Sequence, residues 1–246
     1  MRSRELSEPP EQVLYANYRE DRALPGRAVP LEGPTPLVLE RRFSALLATV
    51  TRGSVLEIGC GDGAFLTFLH QQGFTDVAGV DVSESQIRAA HRRGVTQARL
   101  GDNLDALKQH GSSLSLVVAL DVIEHYTKAD LLPLMRAVHA GLRPSGTLLV
   151  QTPNADGPFG ARHRYADFTH EMAFTPTSMT QMLRSVGFVD IDVRPVEPVV
   201  HGLRSAVRWL VWKTIRVGLV LYLAAETGCL RGHVLTQNMI VAARKP

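Results

Sequence analysis

The sequence predicts an α/β protein with a doubly wound, mostly parallel sheet, and three observations support this fold class. Five short apolar segments alternate with segments of helical periodicity between residues 54 and 151. The apolar segments are nearly continuous in Val, Leu and Ile, which is typical of strands covered on both faces. The first of them runs directly into a glycine-rich turn and then a helix, the opening unit of a nucleotide-binding sheet.

Length and composition favour one soluble domain with modest extensions. The chain has 246 residues, of which 45% are hydrophobic and 21% are charged. A formal net charge of +3 is too small to predict a nucleic-acid partner without a clustered basic patch. The two cysteines, Cys60 and Cys229, have no metal-ligand spacing and form no disulfide framework, so we expect a cytoplasmic protein.

The N-terminal region differs from the rest of the chain. Residues 1–34 are rich in proline and charge and carry no apolar signal-peptide core, so we interpret them as an arm. Residues 35–246 are expected to form the domain. No stretch of about 18 uncharged apolar residues occurs, so we expect no transmembrane helix.

The first half of the domain shows clear boundaries. Ser83 is the predicted N-cap of a helix that Gly94 ends, with Gln86 closing a capping box. The predicted elements of this half are a helix over 36–50, a strand over 54–58, a helix over 64–72, a strand over 77–81, the helix after Ser83, a strand over 96–100 and a helix over 104–108.

The second half departs from regular alternation after residue 154. Residues 157–174 read as a loop rich in His, Arg and aromatic side chains. Thr127 with Asp130, and Thr175, are the predicted N-terminal caps of two helices. The predicted elements are a strand over 114–120, helix 128–141, a strand over 147–151, a helix from Pro176 to Gly187, and strands over 189–193 and 238–242 separated by a helical insert at about 201–228.

The glycine-rich turn points to a nucleotide-type ligand with a positive charge. Gly59, Gly61 and Gly63 let the backbone approach a ligand closely, and their amides and the next helix N-terminus face it. The spacing is G-x-G-x-G after the acidic Glu57, not the G-x-G-x-x-G of dinucleotide sites. An acidic side chain at this position suits a cation better than a pyrophosphate.

Polar side chains follow three further strands, and the carboxyl ends of parallel strands meet at one edge of the sheet. Asp81 ends the second strand, where a carboxylate can accept hydrogen bonds from both hydroxyls of a ribose. Asp102 and Asn103 follow the third strand and can pair with an adenine edge. Asp121 to His125 follow the fourth strand. The sequence therefore predicts a ligand with an adenosine and a positive charge.

These segments resemble, in order and spacing, the motifs of class I S-adenosylmethionine-dependent methyltransferases. The matching segments are Glu-Ile-Gly-Cys-Gly-Asp-Gly from Glu57, Gly-Val-Asp-Val-Ser from Gly79, Gly101-Asp102, Leu-Asp-Val-Ile-Glu-His from Leu120, and Leu-Arg-Pro-Ser-Gly-Thr-Leu-Leu from Leu142. The resemblance covers roughly residues 37–192. It implies a Rossmann-like seven-stranded sheet with an antiparallel last strand.

The resemblance also implies the cofactor and its contacts. The donor would be S-adenosyl-L-methionine and the product S-adenosyl-L-homocysteine. Glu57 and the glycine loop, with Cys60, would hold the methionine part. Residues expected elsewhere around the cofactor are Asp81 and Val82 at the ribose, Asp102 and Asn103 at the adenine, and Asp121 and Val122 near the sulfonium methyl.

The acceptor side is less defined. His125, His170 and Glu171 are candidate bases, although each could instead have a structural role. The cluster Arg162, His163, Arg164 and Tyr165 could contact an anionic acceptor or be a solvated loop. We expect no metal site, because the carboxylates are assigned to the cofactor or scattered.

The preferred hypothesis is O-methylation of a sugar-containing or related small molecule, because residues 151–160 and 167–176 resemble bacterial methyltransferases of surface polysaccharides. The alternatives are an aromatic or quinone-like acceptor and a non-catalytic, cofactor-binding scaffold. Residues 203–225 contain two tryptophans and four basic residues. They could form a buried helix or a homodimer interface, close the acceptor pocket, or make peripheral contact with a membrane.

Overall fold

A computed structural model describes residues 35–246 of the chain, and the predicted arm at 1–34 lies outside them. Seven strands form one sheet in the order β3-β2-β1-β4-β5-β7-β6. β1 to β5 pair in parallel, and β7 pairs antiparallel with both β5 and β6. The prediction of a mostly parallel, doubly wound sheet with an antiparallel last strand is confirmed.

Helices alternate with the strands along the chain. The helices are α1 (Pro36–Leu47), α2 (Ala64–Gln71), α3 (Glu84–Arg92), α4 (Asn103–Gln109), a 3₁₀ turn (Ile123–His125), α5 (Lys128–Gly141), α6 (Gly160–Tyr165), α7 (Pro176–Val186) and α8 (Leu203–Thr227). The strands are β1 (Val55–Ile58), β2 (Val77–Asp81), β3 (Ala98–Leu100), β4 (Leu114–Leu120), β5 (Leu142–Pro153), β6 (Val189–Pro195) and β7 (Asn238–Arg244).

The central strands are buried on both faces, as their continuous apolar sequence predicts. In β4, Leu116 and Val118 pack with α1, α2 and α3, whereas Val117 and Ala119 pack with α5 and α7. This alternation follows from the two-residue period of a strand. Two apolar layers therefore hold the sheet rigidly and fix the positions of its carboxyl ends.

The strand order places a crevice at the ends of β1 and β4. The chain runs outward from β1 to β3 on one side and returns to β4 on the other side of β1. Ligands of open α/β sheets bind at such a reversal of strand order. The glycine loop follows β1, and residues 121–125 follow β4, so both predicted segments lie there.

The helix caps agree with the sequence in two cases and differ in one. The hydroxyl of Thr127 accepts a hydrogen bond from the Asp130 amide at 3.3 Å, and Thr175 forms a capping box with Ser178. The predicted capping box at Ser83 is wrong, because the Ser83 side chain makes no cap hydrogen bond and lies 3.0 Å from the Ser85 hydroxyl.

Two segments beyond β5 also differ from the predictions. Residues 160–165, predicted as loop, form the short helix α6. The interpretation of the insert as a buried helix is wrong, since Ser205 is the one buried residue of α8. Within the part of the chain that the structure describes, no helix is long and apolar enough to cross a membrane.

Gly79 in β2 provides a test of how the glycine loop packs on the sheet. A Cβ at this position would lie 2.7 Å from both Cys60 Cβ and Leu66 Cδ1. We expect Gly79→Ala to lower the free energy of unfolding by about 1–3 kcal/mol, because the loop must move away from β2. Urea denaturation measures this change. Gly218→Ala is the control, since nothing lies within 4 Å of its added methyl group, and an equal loss there would contradict the packing argument.

Candidate active site

Glycine is needed at each of the three loop positions, but the structural reason differs between them. All adopt positive φ angles, of 65° at Gly59, 53° at Gly61 and 76° at Gly63. A Cβ at Gly59 would lie 2.3 Å from Val122 Cγ2, and one at Gly63 would lie 2.8 Å from Val95 Cγ1. Nothing lies within 4 Å of the position at Gly61. The outer glycines therefore allow packing, and the middle one leaves the crevice open beside the backbone.

Asp81 connects the end of β2 to the glycine loop. Its two carboxylate oxygens accept hydrogen bonds from the amides of Gly61 and Ser83, each at 2.8 Å. Burial raises the pKa of Asp81, and the two amide hydrogen bonds oppose that rise. Because each carboxylate oxygen has a further lone pair, the group can still accept bonds from ribose hydroxyls. Val82, next in sequence, is 47% exposed and adds an apolar surface there.

Glu57 is a buried carboxylate at the base of the loop. It is 2% exposed, and its Oε2 has no hydrogen-bond partner among the described residues. Burial, and then the charges of Asp81 and Asp62, raise the pKa of Glu57 well above its usual range. A buried carboxylate is costly unless a cation or donor satisfies it. Glu57 therefore fits a ligand that brings a positive charge.

Cys60 contributes packing to the loop. Its side chain lies above Gly79, and its amide donates a hydrogen bond to the Val80 carbonyl at 3.0 Å. Burial and the neighbouring carboxylates of Glu57 and Asp81 raise the pKa of the thiol far above its usual range. Because the group stays protonated, thiolate chemistry at this position is disfavoured.

The end of β3 has two polar residues in different environments. Asp102 caps α4 by accepting hydrogen bonds from the amides of Leu104 (2.8 Å) and Asp105 (3.1 Å). Asn103 is buried, and its amide nitrogen donates to the Tyr126 hydroxyl at 2.7 Å. Its Oδ1 is a buried acceptor without a partner in residues 35–246. An adenine amino group is a donor of the type that this oxygen requires.

The end of β4 is held against β5. Asp121 adopts a φ of 55°, and its carboxylate accepts hydrogen bonds from the Gln151 amide nitrogen at 3.0 and 3.2 Å. Val122 follows and packs against Gly59. Sequence reasoning missed Gln151 and Tyr126, since a polar residue at a strand end gives no signal of which neighbour it contacts.

His125 and His170 come together beside this strand end. Their ring centroids lie 4.8 Å apart. The Nδ1 of His125 lies 2.9 Å from the Thr169 hydroxyl, which itself donates to Asp167 at 2.7 Å. The Nδ1 of His170 lies 3.0 Å from the His163 carbonyl. These contacts place the proton of each neutral ring on Nδ1 and give Nε2 the lone pair.

The segment that carries His170 is fixed to the 3₁₀ turn. The amides of Glu171 and Met172 donate to the Glu124 carbonyl at 2.8 and 3.0 Å. Glu171 is exposed, whereas the other two candidate bases, His125 and His170, are half-buried. Burial lowers the pKa of His170, which keeps the ring neutral at neutral pH.

The predicted acceptor-binding residues lie on α6. Arg162 and Tyr165 are exposed, whereas His163 and Arg164 are half-buried. The Arg164 guanidinium donates to the His170 carbonyl. Arg164 therefore supports the histidine pair, and Arg162 is the exposed cation of this cluster.

Glu124 joins the two histidines, although we expected no cluster of metal-ligating groups. It is 1% exposed and accepts a hydrogen bond from the Thr152 hydroxyl at 3.1 Å. One potential ligand atom each from Glu124, His125 and His170 lies within 4.8 Å of the others. Nδ1 contacts to oxygen acceptors are also the usual orientation of metal-binding histidines. The sequence signal for this cluster was the pair Glu124-His125, which directly follows the apolar residues Val122 and Ile123.

A family model described as a methyltransferase domain matches residues 35–193, well over half of the chain. The chain belongs to the class I S-adenosylmethionine-dependent methyltransferases. The cofactor that Glu57, the glycine loop and Asp81 suit is therefore S-adenosylmethionine, and the chain is an enzyme of this family.

Individual relatives agree with this assignment. The chain is 29% identical over 158 residues to a ubiquinone biosynthesis O-methyltransferase of Methylobacterium nodulans, covering 58% of this chain and 62% of that protein. It is 24% identical over 198 residues to the protein of the same name from Rickettsia canadensis, covering 72% and 78%. A methyltransferase structure from Archaeoglobus fulgidus superposes with a TM-score of 0.64 at 19% identity, covering 86% and 95%. The last comparison shows the fold.

We expect Asp81→Asn to weaken S-adenosylhomocysteine binding. The amide replaces one of the two acceptors that receive the Gly61 and Ser83 amides, which costs about 1–3 kcal/mol, or roughly a factor of 10 to 100 in the dissociation constant. Isothermal calorimetry measures the change. Asp105→Asn is the control, since this exposed carboxylate pairs with Lys108 on α4. Equal affinities of the two variants would contradict the role of Asp81.

Glu57 predicts an unusual pH dependence of the cofactor-free protein. The folded state keeps a proton on Glu57 that the unfolded state has lost, so the free energy of unfolding falls as pH rises from the usual carboxyl range towards the raised pKa. We expect Glu57→Gln to make this fall shallower between about pH 5 and about pH 8 in urea titrations. Parallel profiles for the two proteins would exclude Glu57 as the cause.

Proposed function

We propose that the enzyme transfers a methyl group to a hydroxyl oxygen of a small-molecule acceptor. The observation that carries this proposal is the pair His125 and His170 beside the end of β4, with ring centroids 4.8 Å apart and each Nδ1 held by an oxygen acceptor. A hydroxyl acceptor must lose a proton during transfer, and a positioned histidine typically contributes about 10²–10⁴-fold. The pair disfavours the alternative of a non-catalytic scaffold, because a protein that only binds the cofactor does not need two histidines at this position.

The remaining residues would bind and orient the two substrates. When bound, the cofactor supplies a methyl group already activated by a sulfonium. Asp81 would hold the ribose hydroxyls, and Glu57 at the loop base would balance positive charge. Val122 packs against Gly59 at the ends of β4 and β1, where it would line the crevice. The chain thus contributes mostly proximity and alignment.

The exposed face of α6 and the residues after it favour a sugar-containing acceptor with an anionic group as the first candidate. Tyr165 is 79% exposed and Phe168 is 90% exposed, and Arg162 is exposed beside them. Aromatic rings pack against the apolar faces of small molecules, and arginine pairs with phosphate. The resemblance of residues 151–160 and 167–176 to polysaccharide methyltransferases supports the same class.

An aromatic or quinone-like phenol is the second candidate. The relatives from Methylobacterium nodulans and Rickettsia canadensis are named for ubiquinone biosynthesis. A phenol loses its proton near pH 10, far more easily than an aliphatic hydroxyl, so it depends less on a base. Turnover with paired sugar and phenol acceptors would distinguish the two candidates.

We expect His125→Ala and His170→Ala each to lower kcat by about 100-fold or more, because the acceptor proton loses its receiving group. The S-adenosylhomocysteine dissociation constant should stay unchanged. His110→Ala, at the far end of α4, is the control. Because burial lowers the pKa of His170, the acidic limb of the kcat profile should lie below the usual histidine range. Full activity of both variants on the true acceptor would refute the assignment.

The cluster of Glu124, His125 and His170 supports an alternative to the histidine base, in which a divalent cation held by the same ring nitrogens would activate the acceptor hydroxyl in place of the imidazole. Imidazole and carboxylate together suit first-row cations such as Zn²⁺ or Mn²⁺. We expect a chelator to lower turnover without changing S-adenosylhomocysteine binding, and Glu124→Gln to abolish calorimetric binding of the cation. If chelation changes nothing and no cation binds, the histidines act as proton acceptors alone.

A further inference from the structure

Helix α8 exposes a long apolar face. Eight large apolar side chains of this helix are more than half exposed to solvent, which is far more than a folded surface usually shows on one element. They are Leu203 (84%), Val207 (56%), Leu210 (61%), Val211 (53%), Ile215 (57%), Val217 (56%), Leu221 (58%) and Tyr222 (66%).

Five of these eight side chains share one side of the helix. At about 100° per residue, Leu203, Val207, Leu210, Val217 and Leu221 fall within an arc of about 80°. No charged residue of α8 falls within the central third of the circumference that contains them. At about 1.5 Å per residue, the face from Leu203 to Leu221 is about 27 Å long. The helix is therefore amphipathic from Leu203 to Arg216, and from Val217 to Ala225 it carries no charged residue on any side.

The charges of α8 are mainly positive and lie beside or opposite this face. The helix has four basic residues, Arg204, Arg208, Lys213 and Arg216, and one acidic residue, Glu226. Lys213 pairs with Glu197 at 2.8 Å, which neutralises one positive charge. Arg204 and Arg208 are exposed at the beginning of the helix. The surface next to the apolar face is thus basic.

The insert leaves the sheet at the same edge as the active site. Pro195 at the end of β6 and Pro153 at the end of β5 lie beside the beginning of β7 in the strand register. The Asn154 side chain, directly after β5, donates to the carbonyls of Val234 (2.7 Å) and Thr236 (2.9 Å). These contacts fix the returning end of the insert to the edge where the crevice opens.

We propose that α8 lies in the interface of an anionic lipid membrane, with its apolar face in the acyl boundary and the crevice edge towards the bilayer. Amphipathic helices with basic residues beside an apolar face bind such surfaces through both features. A second copy of the chain is a poorer occupant, because pairing two α8 helices would bring like charges together. The proposal does not depend on which acceptor is methylated.

Vesicle flotation of the full chain tests the proposal. We expect binding to vesicles of phosphatidylcholine with phosphatidylglycerol, and much weaker binding to phosphatidylcholine alone or at high salt. Leu210→Asp and Leu221→Asp should each reduce binding at least tenfold. Arg204→Gln with Arg208→Gln should remove the preference for the anionic lipid. Leu132→Asp, at an exposed leucine of α5, is the matched control and should bind like the parent.

Two results would overturn the proposal. One is the absence of vesicle binding by the parent protein, or equal binding of the parent protein and the Leu210→Asp variant to anionic vesicles. The other is a dimer in sedimentation equilibrium that Leu210→Asp dissociates while no vesicle binding occurs, which would make α8 an interface between copies. Calorimetry with S-adenosylhomocysteine on every variant shows that the cofactor site is intact, so failure here is separate from failure of the proposed function.

Discussion

The contact between Asp81 and the Gly61 amide is the constraint on which the site depends. It fixes the glycine loop, which follows β1, to the end of the neighbouring strand β2. Without it the loop beyond Cys60 would be held less firmly relative to the ribose end of the crevice, whereas Glu57 is fixed by the pairing of β1 with β2 and β4. One buried carboxylate thus orders the backbone and remains able to accept a ligand hydroxyl.

This arrangement places two carboxylates, Glu57 and Asp81, close together away from water. Burial, and then the charge of Asp81, raise the pKa of Glu57, so an ionised Glu57 is costly there without compensation. A ligand with donor groups and a positive charge supplies that compensation. The instability of the cofactor-free crevice is therefore a source of affinity for the sulfonium cofactor.

The sequence predicted the sheet and the cofactor edge because both follow from local patterns. Continuous apolar runs place β1 and β4 in the centre, and the residue at each strand end is set by the chain itself. Pairing across distant segments was harder to foresee. His125 with His170, and Asn103 with Tyr126, meet through tertiary packing, and α8 looked buried because apolar periodicity does not reveal whether a partner surface exists.

The contacts of His170 tie its ring to α6, the helix that carries the proposed acceptor-binding residues. The Nδ1 of His170 donates a hydrogen bond to the His163 carbonyl, and the Arg164 guanidinium donates one to the His170 carbonyl. Two residues of α6 therefore hold His170 in place. A molecule that displaced α6 would also disturb the two contacts that orient the imidazole. Discrimination between acceptors would then be expressed in turnover more than in affinity, since a poorly fitting molecule can bind and still leave the lone pair misdirected.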